Sequence, residues 1–479
     1  MPTIPLPELL SATGAEVRGN LSSATQFRWI ERNSREVQPG DLFIAIRGER
    51  FDGHDFVSDA AAHGALAALV ARDWADHQEG APPLPLVVVD DPVTALQQLA
   101  AARRDMLGLT VVGITGSIGK TSTKEVVAAV LAQKFSVYRS PGNMNSEIGL
   151  PLSLLEIEPG TEVAVLEMGG AYAFGELALL ASIAKPSIAV VTNVYPVHLE
   201  RMGTIEAIAK TKSELVEAVP ENGAAVLNGD DQRVRAMAPL CRGRVITVGL
   251  GQNNDIRASH VRTKGLEGST FWLHLEGEPL KLKVPLVGGH AVDLALAAVG
   301  VGHALGMHIS EMLPGFDDPG IQVRLLIQPG PRNSRLIDDT YNASAPSMLS
   351  ALGLLQELQP TNRRIAVLGD MRELGSVTEH EHRVVGRRAA EVVDMLVTYG
   401  ELARVIASEA AEVAEVDGRS ISVTSFDLDQ RQELLDFLQT QLQDGDVVLL
   451  KGSRGLQMEE FVKALRGDIA AEQEAGTDA

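Results

Sequence analysis

Short apolar runs alternate with longer helix-prone stretches along the chain, which is the pattern of strands followed by helices. In residues 1–104 this pattern predicts a small α/β domain. Its strands are expected at 27–30, 41–46, 66–71 and 86–89, and an alanine-rich stretch at 92–106 predicts a helix that leads into the next domain.

The alternation is clearest in residues 105–316, which predict a second and larger domain. Strands are expected at 110–112, 163–168, 188–194, 224–228 and 245–248, with helices at 122–134, 174–183, 205–219 and 290–305. Apolar strands that alternate with helices indicate a parallel sheet buried on both faces. Runs at 270–275 and 280–284 have the pattern of a hairpin inserted into this domain. A ligand of such a sheet is expected outside the carboxyl ends of the strands.

Residues 317–466 repeat the alternation and predict a third, Rossmann-like α/β domain. Its strands are expected at 336–339, 365–368, 395–398, 421–424 and 447–450. The first of them is not followed by G-x-G-x-x-G, so a dinucleotide site is not predicted. The acidic end of the chain, 467–479, is expected to be disordered. The predicted fold class is therefore α/β, with a central parallel-sheet domain flanked by a small N-terminal domain and a Rossmann-like C-terminal domain.

Composition narrows the class of protein further. Hydrophobic residues make up 45% and charged residues 22% of the 479 residues, as in ordinary soluble proteins. The formal net charge of −21 argues against nucleic acid or an anionic membrane as partner, because such partners select basic surfaces. A single cysteine excludes an internal disulfide, and no run of about 18 apolar residues occurs. We therefore expect a cytoplasmic protein without a membrane segment.

The segment LTVVGITGSIGKTSTKE, residues 109–125, carries the strongest chemical signal. It consists of a β-branched run, a glycine-rich loop and a helix-prone stretch, which is the context of a phosphate-binding loop. Lys120 would contact the terminal phosphates of a nucleotide and Thr121 would supply a hydroxyl to Mg²⁺. The spacing departs from the common motif, because Ile114 stands where the first glycine is expected. The alternative is a glycine-rich turn before an ordinary helix, which the sequence GKTS at the helix start disfavours.

Polar residues follow two other strands of the central domain. Glu167 and His198 come after apolar runs and would face the phosphate site, where a carboxylate and an imidazole are plausible metal ligands. Taken alone, His198 fits a loop histidine bonded to backbone better than a ligand. Lys210 and Lys212 beside Glu214 fit a solvated helix face.

Taken together, these motifs resemble those of the Mur ligase family of peptidoglycan synthesis. The matching stretches follow one order along nearly the whole chain: VQPGDLFIAIRGERFDGHDF (37–56), GITGSIGKTSTKE (113–125), PGNMNSEIGLPLSLL (141–155), VLEMGGAYAFGEL (165–177), TNVYPVHLE (192–200), IAKTKSEL (208–215), DDTYNASAPSM (338–348), VLGDMRELG (367–375) and DVVLLKGSRGLQME (446–459). DDTYNASAPSM and KGSRG resemble the branch that joins D-alanyl-D-alanine to a UDP-N-acetylmuramoyl tripeptide. The D-N-P-R signature of the preceding, diaminopimelate-adding branch is absent.

The resemblance implies an ATP-dependent acid–D-amino-acid ligase that works through an acyl phosphate and releases ADP and phosphate. It implies two Mg²⁺ ions and a UDP-binding role for the first domain. The residues whose roles it implies are Gly116, Ser117, Gly119, Lys120, Thr121, Ser122, Arg324, Asp339, Tyr341 and Asn342 for ATP; Thr121, Glu167, His198 and a carbamylated Lys212 for metal; and Ser34, Arg35, Asn143, Asn145, Lys451, Ser453 and Arg454 for substrate. Lys120, Lys212, His198 and Glu167 would form the catalytic set.

Two rival functions stay open at this point. One is another amide ligase of the same superfamily, acting on a different UDP-muramoyl peptide or on a folate. The other is a nucleotide-binding switch or scaffold that has lost ligase chemistry, which the intact Lys120, Glu167 and His198 oppose. The favoured function has UDP-MurNAc-tripeptide and D-Ala-D-Ala as small-molecule partners, with neither nucleic acid nor membrane, and we expect a monomer.

Overall fold

The computed structural model describes residues 2–48, 50–170, 173–288, 290–318, 321, 326–358, 360 and 362–467. Within these ranges the strands form three larger sheets that follow one another along the chain, one in each predicted domain. The predicted α/β fold class is confirmed. Residues 468–479 of the predicted disordered tail lie outside the described residues, and the domain boundaries at 104/105 and 316/317 stay predictions. No helix in the described ranges has both the length and the apolar character needed to cross a membrane.

The N-terminal sheet has the order β2-β7-β6-β5-β4, with β4 to β7 parallel and β2 antiparallel at the edge. Its region contains β1 (Ile4–Pro5), α1 (Leu6–Thr13), β2 (Glu16–Arg18), β3 (Gln26–Phe27), β4 (Ile30–Glu31), β5 (Leu42–Ile44), α2 (Val57–Ala62), β6 (Ala67–Ala71), α3 (Arg72–Asp76), β7 (Leu86–Val89) and α4 (Pro92–Leu107). The predicted strand at 27–30 is wrong as one strand. It is two short strands, because β3 pairs with β1 while β4 pairs with β5.

The middle sheet has the order β16-β15-β14-β13-β12-β11-β8-β10-β9. The phosphate loop follows β8, which lies between β11 and β10, so it opens at the carboxyl edge where the chain turns from one half of the sheet to the other. The elements are β8 (Thr110–Thr115), α5 (Lys120–Leu131), β9 (Val137–Arg139), α6 (Gly149–Leu155), β10 (Val163–Glu167), α7 (Glu176–Ala184), β11 (Ile188–Val191), α8 (Leu199–Met202), α9 (Ile205–Glu217), β12 (Ala224–Asn228), α10 (Gln232–Arg235), β13 (Arg244–Gly249), β14 (Ile256–Thr263), β15 (Ser269–His274), β16 (Leu280–Val284), α11 (Ala291–Ala304) and α12 (Ile309–Met312).

The inserted hairpin extends this sheet. β14 continues it in parallel to β13, and β15 and β16 then add antiparallel strands up to the edge. Along β16, Leu282 and Val284 are buried while Lys281 and Lys283 are exposed. The alternation places one face of this last strand on the core and the other in water.

Both faces of the parallel part of the sheet are covered. Val112 and Ile114 of β8 face a core shared with α5 and α11, whereas Val111 faces one shared with α4, α6 and α7. The second core continues into the N-terminal region, so the first two sheets share buried apolar surface through α4. Burial on both faces explains why these strands are apolar without alternation.

The C-terminal sheet has the order β17-β18-β22-β19-β20-β21 and is parallel except for β17. Its polar loops at 339–344, 370–374 and 452–455 follow β18, β19 and β22, which are neighbours, so they meet at one edge. The elements are β17 (Leu326–Pro329), β18 (Arg335–Asp338), α13 (Ala345–Glu357), β19 (Arg364–Gly369), α14 (Thr378–Val392), β20 (Met395–Tyr399), α15 (Ala403–Val416), β21 (Ser422–Phe426), α16 (Arg431–Gln441) and β22 (Val447–Lys451), and residues 459–467 are helical.

Candidate functional site

The glycine-rich loop runs from the end of β8 to the start of α5 and is held by the end of β11. The amide of Ile118 donates to Asn193 Oδ1 at 2.9 Å, and the hydroxyl of Thr192 donates to the carbonyl of Ile118 at 2.8 Å. Lys120 Nζ donates to the carbonyl of Gly116 at 2.9 Å. The loop is thus fixed with its lysine at the N-terminus of a twelve-residue helix, where backbone amides and the helix dipole favour an anion.

Gly116 is required by its backbone angle and by close packing. Its φ is +150°, and a Cβ there would lie 1.9 Å from Thr192 Oγ1. Gly116→Ala should therefore distort the loop. Strain of about 1–3 kcal/mol would weaken ADP binding by roughly 5–150-fold, measured as Kd by calorimetry.

The control for this change is Gly353→Ala within α13, where an added Cβ meets nothing within 4 Å. This variant should leave the Kd for ADP unchanged, since alanine favours a helix. Equal ADP affinity in Gly116→Ala and the wild type would mean that the loop does not hold the phosphates.

Glu167 lies at the end of β10 and is 1% exposed. It accepts hydrogen bonds from the hydroxyl of Thr121 at 2.6 Å and from the side-chain amide of Asn145 at 2.7 Å. A buried carboxylate next to a hydroxyl at the phosphate loop is an oxygen-rich pair of the kind that hard divalent cations prefer. The structure therefore brings Glu167, Thr121 and Asn145 together.

His198 lies just before α8 in the left-handed conformation, with φ +57°. Its Nδ1 is hydrogen bonded to a carboxylate oxygen of Glu373, which lies in the loop after β19. The interpretation of His198 as a loop histidine bonded to backbone is therefore wrong for this nitrogen. Burial lowers the pKa of His198, and Lys120 and Lys212 lower it further while Glu373 opposes them. The neutral imidazole, which is the form that binds metals, is favoured.

The two lysines of α9 have different surroundings. Lys210 is exposed, with its ammonium 4.4 Å from the ring centroid of Phe174, as on a solvated face. Lys212 is only 3% exposed, so the solvated-face interpretation is wrong for it. Burial, together with a smaller contribution from the charge of Lys120, lowers the pKa of Lys212 to about 7, while Glu176 opposes both. A large fraction of Lys212 is thus a neutral amine near neutral pH.

The C-terminal loops contribute an ordered polar cluster. Lys451 is buried, and its ammonium contacts Asp339 Oδ2 at 2.6 Å and the carbonyl of Asn342 at 2.9 Å. Arg454 lies over the ring of Tyr341, 5.1 Å from its centroid, and donates to its hydroxyl at 3.1 Å. These contacts hold the loops after β18 and β22 in one arrangement.

One open cleft is lined both by residues of the middle domain and by the polar loops of the C-terminal sheet. The predicted residues that line it are Gly116, Ser117, Gly119, Lys120, Thr121, Ser122, Asn143, Asn145, Glu167, His198, Lys212, Asp339, Tyr341, Asn342, Lys451, Ser453 and Arg454. Ser34 and Arg35 lie apart in the N-terminal region, where Ser34 donates to Asp59 at 2.5 Å. Arg324 lies outside the described residues.

Sequence reasoning missed part of this site. Glu176, Arg372 and Glu373 also line the cleft. A smaller pocket adjoins the loop and is lined mainly by apolar residues, together with Tyr195 and His290. His290 Nε2 is buried without a hydrogen-bond partner among the described residues. Arg372 and Glu373 had a usable signal, because both closely follow the strand predicted at 365–368.

The fold and the site define a nucleotide-binding α/β protein with a phosphate loop at the switch point of its central sheet. Three family models match: the Mur ligase middle domain at 114–302, the Mur ligase glutamate ligase domain at 324–454 and the Mur ligase family catalytic domain at 26–104. The chain belongs to the Mur ligase family, and the predicted family is confirmed.

Similar proteins point to one member of that family. UDP-N-acetylmuramoyl-tripeptide–D-alanyl-D-alanine ligase of Bacillus subtilis is 35% identical over 94% of this chain and 96% of its own length. The protein of that name from Escherichia coli is 33% identical over 91% of this chain and 93% of its own.

Solved structures agree with these relatives. MurF of Acinetobacter baumannii has a TM-score of 0.83 at 29% identity, covering 97% of this chain and 99% of its own. MurF of Thermotoga maritima, solved in complex with ADP, has a TM-score of 0.76 at 30% identity, covering 93% of this chain and 98% of its own.

Proposed function

We propose that this protein joins D-Ala-D-Ala to UDP-MurNAc-tripeptide at the expense of ATP. The products are UDP-MurNAc-pentapeptide, ADP and phosphate. The observation that carries the proposal is the single cleft in which a phosphate loop, a buried carboxylate and a buried lysine face polar loops of the C-terminal sheet. The ligases named above match nearly the full length of the chain.

The reaction begins when an oxygen of the tripeptide carboxylate attacks the γ-phosphorus of ATP. A new P–O bond forms, the bond to ADP breaks, and an acyl phosphate results. The amine of D-Ala-D-Ala then attacks the acyl carbon, loses a proton, and phosphate leaves. Two anions meet in the first step, so Lys120 and the loop amides would act by positioning and by neutralising charge.

Thr121 and Glu167 would hold one Mg²⁺, and His198 with a modified Lys212 a second. The oxygen donors of Thr121 and Glu167 fit the first ion. Within the described ranges no three His, Cys, Asp or Glu side chains lie close enough to hold a metal, so nucleotide oxygens would complete each site. When bound, Mg²⁺ screens the phosphate charges and polarises the phosphoryl group.

Lys212 is proposed to be carbamylated. Its neutral amine would add CO₂ to give a carbamate and release one proton, which converts a potential cation into an anion. The pKa of about 7 makes that amine available near neutral pH. A carbamate beside Lys120 would be stabilised by the charge that destabilises a lysine ammonium there.

The remaining roles are assigned by region. Residues 1–104 would bind the UDP group through Ser34 and Arg35. Residues 105–316 would bind ATP, and the adenine base would lie in the smaller pocket near His290. Residues 317–466 would bring D-Ala-D-Ala and contact the nucleotide through the Asp339–Asn342 loop, with Lys451, Ser453 and Arg454 near the substrate. We expect a cytoplasmic monomer.

Phosphate release with ATP, Mg²⁺, UDP-MurNAc-tripeptide and a panel of dipeptides tests the function. We expect release that needs all substrates, with D-Ala-D-Ala active and L-Ala-L-Ala inactive as the matched stereochemical control. Mass spectrometry should detect UDP-MurNAc-pentapeptide.

Turnover only with another amine and acceptor would indicate a different amide ligase of the family. Nucleotide binding without phosphate release under any substrate combination would favour the scaffold alternative and contradict the proposal.

A further inference from the structure

Glu373 forms the contact between the loop after β19 and the loop before α8. Its carboxylate is hydrogen bonded to Nδ1 of His198, and its other oxygen lies 3.9 Å from Nη2 of Arg201. Its backbone carbonyl lies 3.5 Å from the amide of Glu200. One residue of a C-terminal loop thus contacts the loop before α8 through both its side chain and its backbone.

The backbone at this contact is constrained on both sides. His198 and Glu373 are both non-glycine residues in the left-handed region, with φ of +57° and +64°. Gly375, at φ +56°, approaches so closely that a Cβ there would lie 3.3 Å from the amide of Glu200. An exposed ion pair contributes little and needs no such geometry. This constrained backbone sets the orientation of the His198 and Glu373 side chains.

The orientation of His198 matters because the two nitrogens of an imidazole ring have different roles. A neutral histidine carries its proton on one nitrogen and its lone pair on the other. When Nδ1 donates to the Glu373 carboxylate, the proton is held there and the lone pair is on Nε2. Histidines that bind metals usually donate their second nitrogen to a carboxylate or carbonyl in this way, which fixes the ring and its tautomer.

We propose that Glu373 is a positioning residue that orients His198 for a divalent cation in the cleft. Because Glu373 belongs to a loop of the C-terminal domain and His198 to the middle domain, metal binding through the histidine is coupled to the docking of the C-terminal domain. This inference rests on the proposed function, in which His198 is a metal ligand. Glu373 lines the same cleft as Lys120 and Glu167, so its carboxylate is within the site that it serves.

The experiment uses the full chain with ADP and Mn²⁺ as probe, and measures bound Mn²⁺ by electron paramagnetic resonance. Electron spin echo modulation reports whether an imidazole nitrogen is bound, and His198→Ala identifies which histidine gives that signal. Glu373→Ala should weaken Mn²⁺ binding roughly 10–100-fold, the usual loss when the partner of a metal-binding histidine is removed, and should diminish the nitrogen signal. Glu373→Gln, which keeps a neutral acceptor, should retain part of both.

The matched control is Glu379→Gln, which removes one carboxylate from the same domain, where Glu379 pairs with Arg383 in an exposed position. It should leave the Mn²⁺ affinity and the signal unchanged. If Glu373→Ala does not fold, as judged by thermal unfolding, the isosteric Glu373→Gln carries the test.

Failure of the proposed function and failure of the inference about Glu373 give different results in this experiment. A wild type without ADP-dependent Mn²⁺ binding overturns the proposed function itself. Binding without an imidazole signal removes His198 from the metal site and overturns the inference while ATP chemistry stands. A normal wild-type signal with unchanged affinity and signal in both Glu373 variants overturns only the role of Glu373.

Discussion

Lys120→Ala is expected to lower kcat roughly 10²–10³-fold or more, the loss seen when one donor that stabilises developing negative charge is removed. The lysine starts the helix behind the glycine-rich loop and its ammonium already lies 2.9 Å from the carbonyl of Gly116. It would turn from that carbonyl to the phosphates when ATP binds. Each tenfold loss corresponds to about 1.4 kcal/mol of activation free energy.

Phosphate release with all substrates at saturation measures this change, and thermal unfolding checks the fold. The matched control is Lys134→Ala, since Lys134 follows the same helix and forms an exposed ion pair with Glu311 at 3.1 Å. That variant should keep nearly normal kcat. Near-normal turnover of Lys120→Ala would remove the phosphate loop from the mechanism.

Lys212→Ala is expected to lose most activity, at least roughly 10–100-fold, and to recover part of it when formate, acetate or propionate is added. A short carboxylate can enter the space left by the side chain and replace the proposed carbamate. The lysine is buried beside Lys120, where a second cation is unfavourable and an anion is favoured. Phosphate release measured against carboxylate concentration follows the recovery.

Lys210→Ala is the control for this change, because Lys210 lies on the same helix but is exposed. It should be nearly as active as the wild type and indifferent to carboxylates. A folded Lys212→Ala protein that no carboxylate rescues would speak against the carbamate and leave Lys212 a structural or cationic role.

The fold could be predicted where apolar periodicity and burial agree. The run at 224–228 is β12 as predicted, and the strands at 163–168 and 365–368 differ from β10 and β19 only at their ends. α6 was missed because Gly149–Leu155 is buried along its whole length, so its apolar residues have no helical period. β9 was missed because its three residues are half-buried and include Arg139.

Site residues that lie within one segment of the sequence could be predicted, but contacts between distant segments could not. The glycine-rich loop is one continuous segment, so its residues can be recognised together, and Glu167 ends a strand that pairs with β8. The partner of His198 is 175 positions away, and only the packing of two domains brings Glu373 there. The burial of Lys212 likewise depends on which face of α9 meets the sheet, which residue types alone do not settle.

The lysines of β16 oppose aggregation of the protein through the edge of its middle sheet. A strand at the end of a sheet presents unpaired backbone groups that can recruit a strand from another molecule and seed aggregation. Lys281 and Lys283 lie on the exposed face of this edge strand, and a second copy that paired with it through its own β16 would bring its ammonium groups close to them. The broad middle sheet is thereby protected against polymerising through its hairpin side, even though its interior strands are almost entirely apolar.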